Sequence, residues 1–223
     1  MKRINIITGH YGSGKTEIAI NMALKLKEKH DRVVICDMDI VNPYFRTNDA
    51  KEFLNEKGIK VISPDYASTN IDIPVLPGDI LSVFTDKDAY AVLDLGGDDD
   101  GAVALGQYHR YLKDEDYDMF FVLNALRPDT SKIEDIHQLA ANIEYMSRAR
   151  ITALINNTNL SYLTEDKHLL ESMDFAKKAA DALGVELKYI TGTKDMLSSL
   201  PDEYKDKAWA VELFMKLPFD AMA

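Results

Sequence analysis

Residues 4–16 read Ile4-Asn5-Ile6-Ile7-Thr8-Gly9-His10-Tyr11-Gly12-Ser13-Gly14-Lys15-Thr16. An apolar, strand-like run ends at Gly9, and helical spacing begins at Lys15. Between them the residues satisfy G-x-x-x-x-G-K-[ST], the pattern of a phosphate-binding loop. Gly9, Gly12 and Gly14 let the backbone turn successive N–H groups inward, making one anion-binding nest. The helix that follows adds the positive end of its dipole to the same anion. Lys15 brings a mobile ammonium to β- and γ-phosphates, and Thr16 offers a hydroxyl to Mg²⁺. A dinucleotide-binding glycine pattern fits less well, because Glu17 stands where its third glycine would be.

Outward from this loop, short apolar runs alternate with longer amphipathic stretches. Strands are expected at 4–8, 32–36, 60–63, 90–95, 119–123, 151–155 and 187–190. Helices are expected at 15–29, 133–146, 166–183 and 204–217. Residues 74–78, Pro-Val-Leu-Pro-Gly, read as a local break before a short helix. Apolar strands separated by helices predict βαβ units and a doubly wound, mostly parallel sheet with helices on both faces. No repeat or low-complexity linker interrupts the pattern, so one domain over 1–223 is the simplest organisation.

Composition narrows the function classes. The 223 residues are 46% hydrophobic and 28% charged, enough to build a core and too apolar for global disorder. Thirty-seven acidic against 26 basic side chains give a net charge of −11, a field that repels nucleic acid. The single cysteine, Cys36, excludes an internal disulfide and a multi-cysteine metal site within the chain. Its strand position predicts a buried, inert thiol. His30, His109, His137 and His168 show no metal-ligand spacing. The N-terminal apolar run is too short for a signal segment, and nothing approaches a bilayer span, so a cytoplasmic protein is expected.

Two further strands end in carboxylates. The second runs into Asp37-Met38-Asp39, and the fourth is Ala91-Val92-Leu93-Asp94-Leu95-Gly96-Gly97. In parallel sheets the strand C-termini face the ligand crevice. Asp37 and Asp39 can therefore approach a phosphate–metal centre; a turn or helix cap is the lesser alternative. Asp94 fits a Walker B carboxylate, and a glycine of the Gly96-Gly97 pair after it an N–H that senses the γ-phosphate.

With these segments the chain resembles the MinD/ParA-type P-loop ATPases of the SIMIBI class, a branch that includes metal-cluster carriers and nickel-insertion ATPases. The resemblance implies ATP and Mg²⁺ as cofactors and hydrolysis as a conformational switch on a protein partner, often in a nucleotide-sandwich homodimer. It makes Asp39 the residue that orients the attacking water, with Lys15 as its catalytic companion. Thr16, Asp37 and Asp94 become the Mg²⁺ set. Many members carry a second lysine just after the first glycine of the loop, which reaches the partner's phosphates. Here that position is His10, followed by Tyr11. Slow basal turnover is therefore expected, with Arg46 as one source of the missing charge.

The base is read from a later segment. After strand 151–155 comes Asn156-Asn157-Thr158-Asn159-Leu160, with no aspartate placed to pair with guanine. An amide suits the adenine edge. The resemblance then makes Asn156 or Asn157 the adenine contact and Thr191-Gly192-Thr193 the second wall, which favours ATP over GTP. The nucleotide-binding set is thus Gly9, Gly12, Ser13, Gly14, Lys15, Thr16, Glu17, Asn156, Asn157 and Thr191.

Other features carry less. Asp98-Asp99-Asp100 reads as an acidic helix start, and Tyr44 and Phe45 after Asp39 as either packing or a partner surface. The expected helix 204–217 puts Trp209, Leu213 and Leu217 on one stripe without a basic face, so it is expected to dock on the domain and not on lipid. A ligase or kinase of the dethiobiotin synthetase-like type is the competing reading, as is a scaffold without turnover. The ligase needs a substrate-binding lysine or polar pocket beside the γ-phosphate, and no lysine follows Asp39 before Lys51.

Overall fold

The computed structural model describes residues 1–39, 50–63, 78–96, 99–161 and 163–214, the side chains of 99 and 100 excepted. Eight strands form one sheet: β1 (Ile4–Thr8), β2 (Val33–Met38), β3 (Ile59–Ile62), β4 (Tyr90–Leu95), β5 (Tyr117–Leu123), β6 (Ala153–Asn156), β7 (Glu186–Gly192) and β8 (Ala208–Ala210). Their order is β3-β2-β4-β1-β5-β6-β7-β8, and every pairing is parallel. This is an α/β fold of the P-loop type. β1 lies in the middle, with β4 on one side and β5 on the other, so the chain reverses direction across the sheet at the phosphate loop. Such a switch point opens a crevice at the strand C-termini.

The helices are α1 (Lys15–Lys27), α2 (Lys51–Glu56), α3 (Leu81–Thr85), α4 (Asp99–Gly106), α5 (His109–Leu112), α6 (Ile133–Ser147), α7 (Asp166–Leu183) and α8 (Lys194–Ser198). The short helix expected after Gly78 is α3, and a helix does begin at Asp99. Two cores result. One packs Ile18, Met22 and Leu26 of α1 and Leu54 of α2 against Ile7, Ile35, Val92 and Ile155. The other packs Ile136 and Ile143 of α6 and Leu169 and Ala176 of α7 against Ile4, Ile6, Leu93 and Phe121. Because both faces are covered, the central strands are buried along almost their whole length and show no alternation of burial.

Helix ends follow local chemistry. Glu165 and His168 form a reciprocal capping box at the start of α7, and Gly184 closes it in the left-handed region at φ 66°. The expected helix over 204–217 is corrected by the structure. Asp202–Lys207 is a 3₁₀ turn, Ala208–Ala210 is edge strand β8, and residues 211–214 are neither helix nor strand. Trp209, Val211 and Leu213 fit a period of two as well as Trp209 and Leu213 fit one of 3.6, and the edge of the sheet decided it. Trp209 is buried against Tyr189 at 5.2 Å between ring centroids, beneath the ammonium of Lys25 at 4.8 Å. Leu217 lies outside the described residues.

Candidate functional site

The phosphate loop leaves the end of β1 and closes on itself before α1. Ser13 N–H donates to His10 O at 3.1 Å, and Ile18 N–H to Gly14 O at 3.1 Å. Gly9, at φ 139°, runs so close to β5 that a Cβ would lie 2.4 Å from Val122 O. A cavity of about 530 Å³ opens over the loop at the strand C-termini. Gly12, Gly14, Lys15, Thr16 and Glu17 line it, together with Asp39. Lys15 is 7% exposed, and its ammonium donates to His10 O at 3.2 Å. Ser13 is buried behind the loop. Its Oγ has no hydrogen-bond partner among the described residues, and its carbonyl accepts from Asn157 Nδ2 at 2.8 Å.

Asp37 and Asp94 sit opposite one another in the β2–β4 register, and both are at most 2% exposed. Ile35 and Val92, two residues earlier on the same strands, pack under α1, so the two aspartates fall on that same face. They lie behind the cavity and not in its lining. Asp37 Oδ1 accepts the Asp39 N–H at 3.0 Å and so fixes where Asp39 leaves the strand. The two adjacent carboxylates offer hard oxygen donors, the kind that suits Mg²⁺. Among the described residues no three histidine, cysteine or acidic side chains are grouped so as to hold a metal ion. Cys36 is fully buried beside them. Burial, then the neighbouring Asp37 and Asp94, push its thiol well above the usual range, so it is no nucleophile.

At the other end of the cavity the two asparagines part company. Successive residues at the end of β6 point to opposite faces of the sheet. Asn157 and Thr191 line the cavity, and the Thr191 hydroxyl donates to Asn157 Oδ1 at 2.7 Å. Asn156 turns to α7 instead. Its Nδ2 donates to Ser172 Oγ at 2.9 Å, while its Oδ1 accepts from the N–H and hydroxyl of Thr158. It therefore supports the loop from behind, away from the cavity. Asn159 lines the cavity, its Nδ2 donating to Asn157 O at 2.7 Å.

Two sets of lining residues were not legible in the sequence. The segment after β8 brings Val211 and Leu213 to the cavity wall. It is strapped to α1: Asn21 exchanges hydrogen bonds with Glu212 N–H and C=O at 2.9 and 2.8 Å, and Phe214 N–H donates to the Glu17 carboxylate at 3.0 Å. Glu17 therefore anchors this wall. Arg127, from the turn after β5, also lines the cavity and donates Nε–H to Gly12 O at 3.0 Å. Lys15 is the one lysine in the lining among the described residues. Arg46, Tyr44, Phe45, Gly97 and Asp98 lie outside the described residues. No described helix is long and apolar enough to cross a membrane.

No protein-family model matches the chain, and no curated protein matches it in sequence. Solved structures do match it in fold. Cell division protein FtsY from Thermotoga maritima is 18% identical with a TM-score of 0.54, over 95% of this chain and 64% of that one. FtsY from Mycoplasma mycoides is 16% identical with a TM-score of 0.54, over 86% and 60%. The signal recognition particle receptor FtsY from Elizabethkingia anophelis, solved in complex with GDP, is 15% identical with a TM-score of 0.53, over 96% and 61%. The chain thus spans less than two thirds of the length of each. At these identities the likeness is one of fold, and it agrees with the strand order and the loop: the chain has a three-layer, all-parallel α/β fold of the P-loop nucleoside triphosphatase kind.

Proposed function

We propose that the chain is a Mg²⁺-dependent nucleoside triphosphate hydrolase of the MinD/ParA type, preferring ATP and acting as a nucleotide-driven switch on a protein partner. The observation that carries this reading is the meeting of Lys15, Thr16 and Asp39 in one cavity over the phosphate loop. Loop amides and Lys15 hold the β- and γ-phosphates, and Asp39 orients water towards the γ-phosphorus. Thr16, with Asp94 and Asp37 behind it, would hold Mg²⁺, which supplies charge neutralisation on the phosphates when bound.

The base preference rests on the far end of the cavity. Asn157, Asn159, Thr191 and Thr193 offer neutral amides and hydroxyls there. Glu17, the lining carboxylate other than Asp39, accepts the Phe214 N–H. A guanine would lack the charged acceptor that pairs best with its N1–H and N2–H₂. Adenine loses nothing by the exchange. The GDP of the Elizabethkingia anophelis receptor makes this the point to test. Titration calorimetry with MgATP and MgGTP should show ATP bound at least about tenfold more tightly, a difference of ~1.4 kcal/mol. Lys15→Ala should abolish both, and Asp39→Ala should keep ATP binding while losing phosphate release. Equal heats for the parent and Lys15→Ala would refute the assignment.

A further inference from the structure

A triphosphate brings several negative charges into a cavity that already holds Asp39 and Glu17. Among the described residues, two cations line that cavity: Lys15, on the loop itself, and Arg127, from the turn after β5. His10 does not join them. Its Nδ1 is 2.8 Å from Tyr11 O and its Nε2 is 3.5 Å from Asp129 Oδ2, so the ring is directed to the neighbouring turn.

Arg127 is placed with care. The turn that carries it is pinned by Asn124, a fully buried residue at the end of β5. Asn124 Oδ1 accepts the Leu126 N–H at 3.1 Å, and its Nδ2 donates to Asn159 O at 2.9 Å. Its carbonyl accepts the Thr130 hydroxyl at 2.8 Å and the Arg127 N–H at 3.2 Å. The 3₁₀ turn Pro128–Thr130 then halts the chain. From this rigid base the guanidinium lies flat on the tip of the phosphate loop, and a Cβ at Gly12 would meet its Cζ at 3.1 Å. Nε is used on Gly12 O, while both Nη groups have no hydrogen-bond acceptor among the described residues. Arg127 is exposed and held by that one hydrogen bond, so its planar fork keeps two donor groups turned to the solvent side of a phosphate nest, suited to bind phosphate oxygens bidentately.

We propose that Arg127 is a charge donor supplied by the chain itself, which contacts the terminal phosphate and neutralises the charge that develops as it is transferred. This rests on the hydrolase reading above. In that step the water oxygen bonds to the γ-phosphorus, the bond from that phosphorus to the β–γ bridging oxygen breaks, ADP leaves with the bonding pair, and a water proton passes to inorganic phosphate. The bridging oxygen and β-phosphate gain charge, and a guanidinium already resting on Gly12 needs only a side-chain adjustment to meet them. It also makes a lysine from a second subunit unnecessary.

The test compares the parent, Arg127→Ala, Arg127→Lys and Lys15→Ala in affinity for MgADP, with and without aluminium fluoride as the mimic of the transferred phosphoryl group. The parent alone should bind MgADP more tightly when the fluoride is present. Arg127→Ala should keep MgADP affinity within about threefold and lose the fluoride enhancement by about a hundredfold, the usual scale for one transition-state donor. Arg127→Lys should fall between. Steady-state phosphate release per chain should not depend on protein concentration. Three results overturn the proposal: no fluoride enhancement in the parent, an equal enhancement in Arg127→Ala, or loss of MgADP itself in Arg127→Ala, which would make the residue a prop for the loop. Unchanged nucleotide binding in Lys15→Ala is a separate result, and overturns the hydrolase reading instead.

Discussion

At Gly14 the backbone has φ 89°, and a Cβ there would lie 2.3 Å from Asn157 Nδ2. Any side chain must both enter the left-handed region, at about 1–3 kcal/mol, and push away the amide that fixes Ser13. Gly14→Ala should therefore lower stability by about 2 kcal/mol and weaken MgATP by at least tenfold, read by thermal melting and calorimetry. A variant with parental affinity would show that the Asn157–Ser13 contact does not set the loop. The same scale marks what could be read from sequence. The loop was legible because its residues are contiguous and their spacing is itself the mechanism. Asn156 and Asn157 were not separable, since only the end of β6 decides which of two neighbours faces α7. Arg127 carried no signal at all: an arginine before a proline reads as a turn, and its partner Gly12 is 115 residues away.

The elements were legible where burial on both faces made apolar runs, and illegible where a short segment could satisfy two periods. The last described stretch is the case in point. Trp209 was read as one rung of a helical stripe and is instead the buried residue of an edge strand. Beyond it the chain continues as the strap that carries Val211 and Leu213 to the cavity. Its hold on α1 is the side chain of Asn21, which mimics a strand partner for Glu212 and also donates to Glu17 O at 2.8 Å. Asn21→Ala leaves the Glu212 N–H and C=O without that partner and should cost about 1–3 kcal/mol. If the strap forms part of the nucleotide wall, MgATP affinity should fall several-fold as well. A lower melting temperature with parental affinity would mean that the strap only covers α1.

Across the whole molecule, the end of the sheet opposite the cavity is tied by a charge knot. Arg3, just before β1, donates to Val83 O, Asp86 O and Ala89 O between 2.9 and 3.2 Å, and to Glu115 Oε2 at 2.6 Å. Lys87 also pairs with Glu115, whose side chain is 9% exposed. Burial alone would raise the Glu115 carboxyl, but the hydrogen bonds and charges of Arg3 and Lys87 outweigh it and hold the group below the usual glutamate range. A depressed folded value means that the unfolded chain takes up the proton more readily. The stabilisation is therefore complete above the unfolded value of about 4.3 and is lost as pH falls through the lower folded one. Glu115→Gln removes the charge and should cost about 2 kcal/mol at pH 7, the scale of hydrogen bonds to an ion, or about 4–8 °C in melting temperature for a chain this long. The gap between parent and variant should then narrow as pH drops below about 4, while other carboxylates cancel in the difference. MgATP affinity at pH 7 should be equal in the two proteins, because the knot sits at the strand N-termini and the phosphate loop at their C-termini. A gap independent of pH would mean that the knot stabilises by packing alone.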